Sequence, residues 1–299
     1  MGIVSPELIE QALVAGVMIG VLYALMALGI TFIYSIVKMI NWAMGQFYMV
    51  GTYLQYLLIV HWLGPDRWYI AVPLAALIVF ALGFVLEPIL IKPMFDRGAS
   101  RRDEYATVVT IALLLLMQNL AGALAGPYER TPGSNLGTVM FGPLPVSGAR
   151  FAAFVCALLA LGFFYLFIKK TWLGLALRAV AQNRTGVQSS GIDVFRLDQI
   201  AFGIGVALAA IAGALLAPVF LVYPTDGAVT TTKGFEIIMI GGLGSIPGAL
   251  IAGLLLGVVE SLGTILVAPG LQNAYGFILL LVILLLRPNG LFGETVREA

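Results

Sequence analysis

The sequence of 299 residues holds one cysteine and one histidine, and Asp, Glu, Lys and Arg together make up only 10% of it. Each scarcity excludes something. Cys156 alone can form neither an internal disulfide nor a Cys-x-x-Cys metal or redox pair. His61 has no second histidine to share a metal and no neighbouring base, so it reads as an interfacial side chain, and no metal site is expected. None of the five lysines follows a glycine, so a Gly-Lys-Ser/Thr phosphate-binding loop is missing. Any ATP that powers this chain must therefore be hydrolysed on another one. An intramembrane enzyme is disfavoured, because Cys156 and His61 lie on separate segments without a base or metal partner. Soluble domains of this length carry roughly a quarter charged residues, which sets this chain outside their class. The first residues carry Glu7 and Glu10 in place of a basic stretch, so no cleavable signal peptide is expected.

What fills the sequence is apolar: 61% of it is hydrophobic, in repeated runs of about 20 residues that mark membrane-spanning helices. Spans are read near 10–37, 42–61, 69–91, 106–125, 150–168, 198–222, 229–244, 248–267 and 272–287, the seventh being short. The expected fold is an all-α polytopic transmembrane bundle of about eight to nine spans, forming a single domain over 1–299. With the N-terminus outside, the segments 38–41, 92–105, 169–197, 245–247 and 288–299 fall inside. Twelve Lys and Arg then lie inside, against Arg67, Arg130, Arg150 and Lys233 outside, as the retention of positive charge on the cytoplasmic side requires. Segment 126–149, with Pro127, Pro132, Gly133, Pro143 and Pro145, reads as an external loop built of turns. Trp62 and Trp68 bracket another external turn at an interface.

The largest polar stretch is Lys169–Asp198, KKTWLGLALRAVAQNRTGVQSSGIDVFRLD. Leu173, Leu177, Val180 and Val187 fall at helical spacing, which predicts a short amphipathic helix on the cytoplasmic side. It is either a solvated connection or, the reading placed first, a docking element for a soluble partner. Gly241, Gly242, Gly244, Ser245, Pro247 and Gly248 form a glycine-rich turn that reads as a helix break, tolerated where it is buried or lines a cavity. Ala249, Gly253, Gly257 and Ser261 make a small-residue stripe, as do Gly16 with Gly20, and Ala209, Gly213 and Ala217. Such stripes pack helices within one chain or between two chains. Glu87, Glu236 and Glu260 are carboxylates in or near apolar runs, and Glu260 is the deepest. Asn41 and Gln46 interrupt another run: capping of a helix start is favoured over lining a solute path.

The quoted residues carry a resemblance. Gly20, Tyr23–Leu25, Ala27–Gly29 and Asn41–Gly45 are similar to a GxxYALxALG…NFAHG stretch. Gly174, Arg178, Ala179, Ala181 and Gly191–Ile192 are similar to a cytoplasmic coupling segment. Gly241–Ala249, Glu260 and Arg287–Leu291 are similar to a C-terminal signature. Together they resemble the permease subunits of branched-chain amino acid ABC importers, the LivH type. The resemblance implies a multi-pass permease of the bacterial inner membrane that is not itself an enzyme. It implies a second homologous permease chain in a heterodimer, two ATPase subunits carrying ATP and Mg, and an extracytoplasmic solute-binding protein. Membrane lipid, not nucleic acid, is the expected surrounding. Leu173, Gly174, Leu177, Arg178, Val180 and Arg184 are then expected to couple to the ATPase, and Asn41, Met44, Gln46 and Glu260 to line the path. Gly242, Gly244, Pro247 and Gly248 are expected at the helix break. Trp42, Met44 and Gln182 depart from the family pattern, where Phe, His and an acidic residue are common, which leaves urea, short amides and aromatic carboxylates beside amino acids as cargo. A carrier or channel working alone is the reading from a different class.

Overall fold

A computed structural model describes residues 6–96, 101–133, 136–141 and 144–293; Arg97 and Arg297, counted above on the inner side, lie outside the described residues. The elements run α1 Pro6–Val37, α2 Met44–Leu58, α3 Trp68–Leu90, α4 Pro93–Asp96, α5 Arg102–Ala125, β1 Thr138–Phe141 and β2 Leu144–Ser147. They continue as α6 Gly148–Lys170, α7 Trp172–Gln182, α8 Arg184–Ser189, α9 Val194–Leu216, α10 Asp226–Gly241, α11 Ile246–Leu266 and α12 Gln272–Leu286. The chain is an all-α polytopic bundle in which, among the described residues, seven helical stretches are long and apolar enough to cross a membrane. The stretch read as a loop of turns holds one departure, a small antiparallel hairpin pairing Thr138 with Ser147 and Val139 with Val146.

Two of the nine expected spans are not full helices. At 16 residues α10 reaches only about 24 Å at 1.5 Å per residue, and α2, at 15, passes into a π-helical turn at Ile59–Leu63. Lys38, at φ 58°, ends α1 in the left-handed region, its N–H still reaching Tyr34 O at 3.1 Å. Met39, Asn41 and Ala43 then return into the bundle as buried, non-helical chain before α2 starts. In the same way α9 stops at Leu216, and residues 217–225, with Pro218 and Pro224, run without helix to α10.

These breaks are related by the order of packing. α1 packs on α11 as α9 packs on α3, while α1 and α9 pack on one another and α2 and α10 meet. The triplets α1–α2–α3 and α9–α10–α11 therefore pack as two copies of one unit. They run in opposite directions, since α1 ends and α9 begins at the end of the bundle that holds α7, α8 and their basic residues, called the basic end below. Such inverted repeats place their broken helices together near the middle of the membrane.

Lipid supplies no hydrophobic drive between helices, so close backbone approach has to hold them. The small stripe of α11 does this within the chain: a Cβ on Gly253 would lie 2.6 Å from Ala24 Cα, and one on Gly20 would lie 2.8 Å from Leu254 Cα. Ser261 Oγ donates to Ala12 O at 2.7 Å in the same seam. The stripe of Ala209 and Gly213 likewise packs inside the chain, Gly213 against the backbone of Tyr48. The glycine-rich break is the turn between antiparallel α10 and α11. Gly242 and Gly244 sit at φ 100° and 82°, conformations a side chain would strain, and Ser245 Oγ caps α11 by accepting from Gly248 N at 3.1 Å.

Candidate functional site

The first turns of α2 and α10 overlap head to head. Gly45 and Gly227 bring the two backbones together, and a Cβ on Gly227 would lie 2.6 Å from Gln46 Oε1. Thr231 Oγ1 of α10 accepts from Gly45 N of α2 at 3.1 Å and donates to Gly227 O at 2.8 Å, so one half-helix caps the other. Asn41 does not cap the helix itself: its Oδ1 accepts from Ala43 N at 3.0 Å, an Asx turn that leads into α2. Trp42 packs on Phe235 with ring centroids 4.6 Å apart. Gln46 is fully buried, and both of its amide atoms lack a hydrogen-bond partner, as does Asn41 Nδ2. Buried amides are nearly always satisfied, so these three atoms mark a polar spot that the present packing leaves unfilled.

Further along α10 a charged cluster joins four helices. Lys233 pairs with Glu260 Oε1, while Glu260 Oε2 accepts from Tyr23 at 3.0 Å and from Gln272 Nε2 at 3.1 Å. The pair is buried, with side-chain exposures of 14% and 2%, and Lys233 also lies over the Tyr23 ring at 5.3 Å. Lys233 is thus inside the bundle, which corrects its earlier assignment to an external segment. The reason is local: a cation three residues from Glu236 and facing Glu260 is neutralised in place. Glu236 is buried beside it, with Oε2 lacking a hydrogen bond. Glu260 also lines a cavity of about 350 Å³ between α1, α6, α11 and α12, under the β1–β2 hairpin. Arg150, Gln11, Gln272, Ser261 and Thr264 line it with Glu260, and Ile19, Phe220 and Ile265 supply apolar wall.

At the basic end, a second buried ion pair holds the polar stretch to the bundle. Arg184 donates through Nη1 to Asp198 Oδ1 at 2.9 Å and through Nη2 to Oδ2, a bidentate pair with Asp198 fully buried. The guanidinium lies 4.3 Å from the Phe95 ring centroid and 5.9 Å from that of Phe195. Beside it, α7 is amphipathic, as the spacing predicted, but its apolar face turns inward: Gly174, Leu177 and Val180 are buried. Its outer face presents Trp172 and Leu175, 69% and 56% exposed, with Arg178. Between the ends of α1, α7 and α12 and the α10–α11 turn lies a larger cavity of about 790 Å³, lined by Tyr34, Lys38, Gln182, Ser245, Asn289 and Phe292 among others.

The bundle, its paired half-helices and these polar sites can be set beside known proteins. Residues 12–286 match the family described as branched-chain amino acid transport system, permease component. The chain belongs to that permease family. The relatives it matches include the high-affinity branched-chain amino acid transport system permease protein BraD of Pseudomonas aeruginosa, 33% identical over 96% of this chain and 97% of BraD. They also include LivH of Escherichia coli, 30% identical over 96% of each chain. A probable LivH of Methanocaldococcus jannaschii is 31% identical over 93% of this chain and 90% of its own. No solved structure matches the chain.

In this member of the permease family, the residues expected on a path do not share one place. Asn41, Met44 and Gln46 gather at the start of α2; Met44 is 1% exposed and packs at the α1–α9 contact beside Gly29. Glu260 stands apart from them on the 350 Å³ cavity. Of the six residues expected to couple to an ATPase, Arg178 alone lies on the outer face of α7; Leu173 is half-buried, and Arg184 serves the ion pair with Asp198. Of the expected break residues, Gly242 and Gly244 lie in the turn, and Pro247 and Gly248 in the first turn of α11 that follows it. The residues that sequence reading missed are Lys233, Tyr23, Gln272 and Arg150 around Glu260, Thr231 at the half-helix junction, and Trp172 and Leu175 on α7. Spacing carried a signal for the last two: Trp172, Leu175 and Arg178 are three residues apart, a stripe opposite to the one that was followed.

Proposed function

We propose that this chain is the membrane permease subunit of an ATP-binding cassette importer and that it carries branched-chain or related amino acids inward. The observation that carries this reading is the match, over nearly the whole chain, to permease proteins named for branched-chain amino acid transport. In this proposal a second permease chain completes the path as a heterodimer, two ATPase subunits bind ATP and Mg, and a binding protein delivers solute from outside the inner membrane. The sequence has no phosphate-binding loop of its own, which agrees with an energy source on other subunits.

The proposed cycle is alternating access. Closure of the ATPases on nucleotide pushes on the outer face of α7, where Trp172 and Leu175 form an apolar contact and Arg178 a cationic one. The push passes through α8 to α9, because Arg184 ties the two by its pair with Asp198. α9 packs on α1 and α2, so its movement reaches the half-helix junction, the place where inverted-repeat transporters open and close. The two arrangements differ in free energy by what the nucleotide supplies, as any ligand-driven two-state change requires.

Reconstitution tests this directly. Purified chain alone in vesicles should accumulate no leucine under any ion gradient, and the complete complex with binding protein and ATP should accumulate it. Uphill uptake by the chain alone would contradict the importer reading and favour a carrier.

A further inference from the structure

We propose that the 350 Å³ cavity between α1, α6, α11 and α12 is a binding site for a free α-amino acid with a branched aliphatic side chain, its carboxylate on Arg150 and its ammonium on Glu260. This deepens the reading above and rests on it for the solute class. Arg150 lies in the first turn of α6, half-buried, and no described carboxylate forms an ion pair with it. A guanidinium facing a cavity without an anion is a ready receptor for a carboxylate, which it can hold by two parallel N–H···O bonds.

The second pole is Glu260. Its three donors, Lys233, Tyr23 and Gln272, leave part of the capacity of two carboxylate oxygens, about four lone pairs, free for a further N–H. Those donors also hold the carboxyl group in a fixed orientation, so an arriving ammonium meets positioned acceptors. Serine and threonine hydroxyls of Ser261 and Thr264 stand one and four residues along the same helix, within the same wall. Ile19, Phe220 and Ile265 supply apolar surface of the kind an aliphatic side chain displaces water from. The volume lies in the range of small-molecule sites, about 300–1,000 Å³, and is far too small for a two-chain lipid. An α-amino acid satisfies all three features at once; a simple anion satisfies one.

Glu260 is six residues from the end of α11, or roughly 9 Å along the axis, so the site sits toward the end opposite the basic one. That places it ahead of the half-helix junction for a solute arriving from the side opposite α7.

The test uses the complete reconstituted complex in a Cys156→Ala background with Ile265→Cys, whose thiol lies on the cavity wall. Leucine should slow labelling of that thiol by a small maleimide about threefold or more, at saturation of the site. Neither 4-methylpentanoate, which lacks the ammonium, nor isopentylamine, which lacks the carboxylate, should do so at the same concentration. Arg150→Gln should abolish the protection by leucine, and Arg150→Lys should keep part of it. Leucine uptake is measured on the same vesicles. Uptake without protection overturns the site while the transport reading stands; protection without uptake upholds the site and removes the transport reading; absence of both removes both. Equal protection by 4-methylpentanoate reduces the cavity to an anion site and overturns the proposal, and the wild-type analogue series decides this even if every Arg150 variant fails to assemble.

Discussion

Among the described residues, the two ion pairs with a buried carboxylate are alike in chemistry and different in surroundings. Arg184–Asp198 lies against the rings of Phe95 and Phe195 with the Arg184 side chain 29% exposed, and its geometry uses both carboxylate oxygens on one bidentate partner. Lys233–Glu260 is met by two neutral donors and has a cavity on one side. Arginine suits the first place because its planar fork stacks on rings while it holds the carboxylate; lysine, a compact charge, suits the second, where other groups share the same anion. The contrast teaches that burial of a charge pair says little by itself. A bidentate pair held against aromatic rings fixes a joint, whereas a pair left with spare acceptors beside a cavity is poised for a ligand.

Removing one partner of the bidentate pair should have the largest effect. Arg184→Ala leaves the fully buried Asp198 carboxyl without its partner, and about 3–5 kcal/mol of stability should be lost, read by denaturant unfolding in detergent. Adding Asp198→Leu should recover most of it, since an apolar replacement of a whole buried pair is often neutral. Glu260→Gln should cost less, about 1–3 kcal/mol, because the amide oxygen still accepts from its donors and the buried Glu236 stays beside Lys233; its main effect should be on leucine uptake by the complex. Equal stability losses at the two sites would erase the distinction between them. Smallest on stability is Arg178→Glu, on the outer face of α7, expected within about 0.5 kcal/mol of wild type. It should nonetheless abolish solute-stimulated hydrolysis by the complex, and normal coupling would return that face to a solvated surface.

Much of this was legible in the sequence, and the losses have physical reasons. Apolar runs and basic loops located the helices, because length and charge are properties of single segments. The seam of Gly16 and Gly20 with Gly253 and Gly257 showed as stripes, though only packing told that both halves belong to one chain. The inverted repeat left no trace in the reading, since it resides in the order of helix neighbours and not in residues at matched spacing. Lys233 was misplaced for a related reason. A lysine near a helix start looks external until its partner, 27 residues away on another helix, is known. The inward turn of Leu177 and Val180 follows the same rule: an amphipathic pattern reveals two faces, and the fold decides which one meets the chain itself.

The central claim is that one pair belongs to the framework and the other to the solute's route. Leucine uptake per folded complex should be compared between Glu260→Gln and the apolar double replacement Arg184→Met with Asp198→Leu. Uptake is expected to fall about tenfold or more in the first and to stay within about twofold of wild type in the second. Wild-type uptake in Glu260→Gln, with loss in the double replacement, would contradict the account.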